Sequence, residues 1–113
     1  MTTLDSREQA IEAAFQHDED MAFRIRTRRN RLLGFWIAEL IGLAGAAADA
    51  YAADLVAAGV EQGEGSAIIR EVRRELGAHG VRLSAHRLAR KMDALEQMAR
   101  QQLADKAGPA AKG

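Results

Sequence analysis

The sequence predicts an all-α protein: a small four-helix bundle with a long first helix or a jointed N-terminal helical arm. Three observations carry this. Apolar residues recur at helical spacing in four segments. Glycine and serine punctuate the chain between those segments, at Gly42 to Gly45, Gly59 to Gly65 and Gly80 to Ser84. No segment shows the sustained alternation of a half-buried strand, and no stretch repeats another.

The first helical segment opens near Thr3, Asp5 or Ser6, any of which can accept a hydrogen bond from an orphan backbone N–H. Glu8 follows Asp5 by three, close to a capping-box spacing. From there to Ile41 no Pro intervenes, and the only Gly is Gly34. Leu4, Ile11, Phe15, Ala22, Ile25, Leu32, Trp36 and Leu40 trace a helical period. Before Met21 that stripe is narrow, so the arm buries little against its own domain and would be a marginal helix when free. One continuous helix and an arm jointed near residues 17 to 21 both fit the pattern. Residues 31 to 41 differ in kind. Leu32, Leu33, Phe35, Trp36, Ile37, Leu40 and Ile41 surround most of a helix, so other elements must cover it.

A second helix is expected from Ala46 to Ala58, with Tyr51, Leu55 and Val56 on its inner face. Gly59-Val60-Glu61-Gln62-Gly63-Glu64-Gly65 is expected to be a flexible connector. A third helix begins near Ser66 and buries Ile68, Ile69, Val72 and Leu76. Ala78-His79-Gly80 ends it, with Gly80 free to turn left-handed. Ser84 reads as the N-cap of a fourth helix carrying Leu88, Met92, Leu95, Met98, Ala99 and Leu103. Gly108-Pro109 is expected to stop that helix. The domain plan is therefore an arm over 1–19, a bundle over 20–105 and a disordered tail over 106–113.

Composition narrows the function. At 113 residues the chain holds one domain. Its 48% of apolar residues is rich in Ala, which implies a thin core and closely spaced helices. Sixteen basic residues balance sixteen acidic ones, whereas nucleic-acid and membrane-surface binders carry a basic excess. Absence of Cys excludes a disulfide framework, a thiolate zinc site and a thiol nucleophile. The apolar run from Leu32 to Leu43 falls well short of the roughly 20 residues of a membrane span. No signal peptide is visible, so a cytoplasmic setting without membrane insertion is expected.

Little in the chain suggests catalysis. His17-Asp18-Glu19-Asp20 offers metal-ligand types, but consecutive helical residues point in different directions; an exposed acidic face is the simpler reading. Ser84 with His86 lacks an orienting third group, and a capping serine already has a structural use. His79 stands beside a helix C-terminus, which favours a partly cationic ring. The Gly59–Ser66 stretch lacks the Lys-Ser/Thr ending of a phosphate loop. We expect neither an enzyme nor a bound cofactor or metal.

Charge is distributed unevenly. The acidic arm runs into a collar of Arg24, Arg26, Arg28, Arg29 and Arg31. Such a cluster can meet phosphates or a carboxylate-rich protein surface, or it can be a solvated face paired at i, i+4 with acids such as Asp20. Arg82, Arg87, Arg90 and Lys91 form a second patch at the start of the fourth helix, where the helix dipole disfavours cations. His17 lies beside three carboxylates, which favour its charged form and make it a candidate pH-sensitive group, or merely an exposed histidine.

The same residues carry a family resemblance. Asp5-Ser6-Arg7-Glu8, Ile11-Glu12-Ala13, Phe15 and His17-Asp18-Glu19 resemble the zeta-subunit family of alphaproteobacterial F-type ATP synthases. Phe23-Arg24, Arg28-Arg29-Asn30-Arg31-Leu32-Leu33-Gly34, Trp36, Ala38-Glu39-Leu40 and Gly42 match still better, with Thr27 where the family tends to carry Ala. Ala50-Tyr51-Ala52, Val72-Arg73, Leu76, Gly80-Val81 and Lys91-Met92 extend the likeness over nearly the whole chain. Departures lie at Ile25-Arg26 and Ala85-His86-Arg87, where the family is more acidic.

The resemblance implies an inhibitory subunit whose N-terminal segment, 1–19, enters the catalytic head at an alpha/beta interface near gamma. There it blocks ATP hydrolysis. Leu4, Ile11 and Phe15 would anchor the arm in a groove, and Arg7, Glu8 and Glu12 would supply charge complementarity. His17 and the collar residues Arg28, Arg29 and Arg31 complete the expected partner-binding set. The implied partners are the alpha, beta and gamma subunits. A competing reading is a small helical protein binding nucleic acid or nucleotide phosphate through the Arg24–Arg31 cluster. A third is an adaptor that self-associates through its arm.

Overall fold

Residues 3–62 and 65–112 are described by the computed structural model, with the side chains of residues 3–5, 15, 62 and 107–112 outside the description. Because no residue from Thr3 to Leu40 breaks a helix, this span forms one 38-residue helix, α1, with no joint near residues 17 to 21. α2 spans Gly45–Gln62, α3 Gly65–Ala78 and α4 Ala85–Lys112. No strand occurs among the described residues.

Two of the turns are built the same way. Gly42 takes a φ of 85° and Gly80 a φ of 75°, the left-handed region that side chains resist. Around Gly42, the Leu43 N–H reaches the Ala38 carbonyl at 2.8 Å and the Gly42 N–H reaches Glu39 at 3.2 Å. Around Gly80, Val81 donates to Leu76 at 2.8 Å and Gly80 to Gly77 at 3.0 Å. Both are Schellman caps, which satisfy carbonyls that a helix end leaves orphaned. Val81 then packs back on the core. Ser84 caps α4 as expected: its Oγ accepts from the Arg87 N–H at 3.1 Å.

α1 packs against both α2 and α4, and α3 closes the ring by touching α2 and α4. Leu33 and Ile37 from α1 meet Leu55, Ile68, Val72, Leu76, Leu88, Met92 and Leu95 in one buried cluster. Trp36 lies at its edge, half-buried, with the Lys91 Nζ 4.9 Å from its ring centre. The thin, alanine-rich core brings helices close. A Cβ on Gly34 would stand only 2.6 Å from the Ala52 Cα.

Two boundaries differ from expectation. The connector expected from Gly59 is helical as far as Gln62. Gly59 is there for proximity to α1: a Cβ on it would collide with the Asn30 Nδ2. The α4 backbone runs past Gly108-Pro109 to Lys112.

Shape follows from the length of α1. At 1.5 Å per residue it is about 57 Å long, and the molecule measures 63 × 33 × 24 Å. The radius of gyration is 17.8 Å, against about 13 Å for a compact chain of this size.

Candidate partner-binding site

The excess length is the N-terminal part of α1. Every residue from 6 to 20 whose side chain is described is exposed. Met21 and Ala22 are half-buried, and among the described residues of α1 Ile25 is the first that is buried. The overhang is thus about five turns of helix with nothing packed on its described side chains. It is helical because it extends a helix already anchored in the bundle, so no new nucleus has to form.

Along this overhang, Arg7 and Ile11 are one turn apart, as are Glu8 and Glu12. Ile11 is 53% exposed, an apolar side chain set between carboxylates. His17 lies about a third of a turn away from the Ile11 face. Leu4 and Phe15, the other expected anchors, have side chains outside the described residues.

The collar does not form a single cationic face. Arg29 turns inward: its Nη1 lies 3.1 Å from the Glu96 Oε1 of α4, and its side chain is only 12% exposed. Its Nε also donates to the Asn30 Oδ1 at 3.2 Å. Arg28 donates to the Gln102 Oε1 at 3.1 Å. These two residues join α1 to α4. Arg31 lies over the Phe35 ring at 5.6 Å, while Arg24 and Arg26 are exposed. From Ile11 to Arg28 is about 26 Å along the axis, so arm and collar are two stations on one rod.

Asn30 is the residue that pattern reading missed. It is 4% exposed, the one buried polar residue among those described. It sits where Arg29, Gly59 and α2 meet. Flanked by arginines, it reads in sequence as part of a wet face. Only the neighbouring glycine at position 59, a sign of close backbone approach, hints otherwise.

A bundle that leaves one helical end bare offers a surface suited to contact with a partner. The family assignment agrees with this. A model of the ATPase inhibitor subunit zeta family matches residues 1–102, and the chain belongs to that family. Neither the curated proteins nor the solved structures compared with it contain a match. No helix among the described residues is long and apolar enough to cross a membrane.

Proposed function

We propose that this chain inhibits ATP hydrolysis by the F-type ATP synthase by inserting the exposed end of α1 at a catalytic alpha/beta interface near gamma. The observation that supports this most is that every described side chain from 6 to 20 is exposed, on a helix whose other half is locked into the bundle. Among the described residues, no ion pair, side-chain hydrogen bond or core contact uses Arg7, Glu8, Ile11 or Glu12. An amphipathic helix with one apolar stripe fits a groove on another protein. The bundle, 33 × 24 Å across its shorter dimensions, is too wide to follow a single helix and acts as a stop.

Ile11→Asp in the full chain tests the reading. Burying an isoleucine contributes about 1.5–3 kcal/mol, so inhibition should weaken roughly 10- to 100-fold. The fold should not change, because Ile11 touches none of the core. Undiminished inhibition by this variant would count against the arm. The competing phosphate-binding reading of the collar is weakened by Arg28 and Arg29, whose donors engage α4.

A further inference from the structure

The family function leaves one feature unused. Arg70, Arg73, Arg74, Arg82 and Arg87 line one surface cleft where α3 passes into α4, with Leu83 at its edge. The Arg73 Nε donates to the Leu83 carbonyl at 3.0 Å, and Arg74 pairs with Glu71. Arg70, Arg82 and Arg87 are exposed and make no ion pair among the described residues. Arg87 stands in the first turn of α4, where the helix dipole opposes a cation. Folding therefore gains nothing from it there.

The complementary charge is at the far end of the same molecule. The exposed part of the arm holds Glu8, Glu12, Asp18, Glu19 and Asp20 against one arginine, Arg7. α4 runs antiparallel to α1, since Gln102 meets Arg28 whereas Lys91 meets Trp36. Its N-terminal turn, and the cleft with it, thus lie at the C-terminal end of α1. In a molecule 63 Å long, the continuous α1 cannot bring its arm to its own cleft.

We propose that two copies pair antiparallel, each acidic arm lying along the arginine cleft of the other. The contact is two-fold and closes on itself, because each copy gives one arm and receives one. Single exposed ion pairs are weak, so the pair is held by several together and is reversible and salt-sensitive. Paired copies withhold their arms from other partners. That consequence rests on the inhibitory reading; the pairing does not.

Sedimentation velocity on the full chain tests it across a concentration series. The salt arms are about 0.01 M, where charges act over about 30 Å, and about 1 M, where they act over about 3 Å. Wild-type chain should associate to a dimer in the first and weaken at least about tenfold in the second. A cleft-reversed variant (Arg70→Glu, Arg82→Glu, Arg87→Glu) and an arm-reversed variant (Glu8→Lys, Glu12→Lys, Glu19→Lys) should each be monomeric. All six positions are exposed, and circular dichroism confirms that both variants fold. An equal mixture of the two should restore the dimer, since each reversed surface then faces its complement. Wild-type chain that stays monomeric at low salt overturns the proposal, as does a cleft-reversed variant that associates like wild type.

Discussion

Gly34→Ala isolates how closely α1 and α2 approach. In an exposed helix this change would stabilise by about 1 kcal/mol, because Ala loses less backbone freedom on folding. Here the new Cβ would lie 2.6 Å from the Ala52 Cα and 3.0 Å from its Cβ. Carbon atoms rest at about 3.5–4.0 Å, so the helices must part by about 1 Å. The nearest atom is backbone and cannot rotate aside. Leu33 and Ile37, both fully buried, would lose contact with Leu55 across the same seam. Overpacking of this kind costs about 1–3 kcal/mol. Net of the helix gain, we expect a loss of up to about 2 kcal/mol, or up to about 8 °C in Tm. Urea unfolding followed by circular dichroism measures it, with Gly77→Ala as control. Gly77 is helical and a Cβ there meets nothing within 4 Å, so that variant should gain up to about 1 kcal/mol. If Gly34→Ala were as stabilising as Gly77→Ala, the close approach of the two helices would be refuted.

Three further changes probe other joints of the structure. Arg29→Ala and Glu96→Ala, alone and combined in a thermodynamic cycle, should show a coupling of about 1 kcal/mol, since this pair is shielded on the arginine side at 12% exposure; additive effects would remove the pair as a joint between α1 and α4. Ser84→Ala should cost about 1 kcal/mol through loss of the α4 cap and its bond to the Arg87 N–H, read as a lower urea midpoint. Tyr51, the only tyrosine, has its pKa raised to about 12 by burial, with Glu75 and Glu71 adding repulsion. The folded state holds this proton more tightly than the unfolded one. Its contribution to stability is therefore complete below about pH 10 and lost as pH rises through about 12. Tyrosinate absorbance should appear near that upper value, or together with unfolding; ionisation near pH 10 in the folded chain would contradict it.

Much of this architecture could be read from pattern. Four segments with apolar residues at helical period give four helices, and Gly42, Gly80 and Ser84 mark three of their ends by conformational or capping chemistry that only a few residues supply. The continuity of α1 was ambiguous because the weak stripe before Met21 suits either a joint or an overhang; anchoring from Ile25 onward carries the helix outward. Gly59 misled in the other direction. Glycine marks a turn more often than a helix crossing, and its neighbour Asn30 lies far away in sequence. The collar was legible as charge but not as geometry, because its partners Glu96 and Gln102 are on α4 and no local spacing connects them. The arm was legible as a candidate site because its apolar residues are too few to be a core.

The proposed role of the free end of α1 in inhibition stands or falls on ATP hydrolysis by the cognate synthase head, measured with the full chain and with residues 21–113. The core cluster begins beyond the deletion, at Leu33, so the shortened chain should keep its cooperative unfolding, as circular dichroism would verify. The full chain should inhibit and the shortened one should not. Equal inhibition by both would place the activity in the bundle and not in the arm.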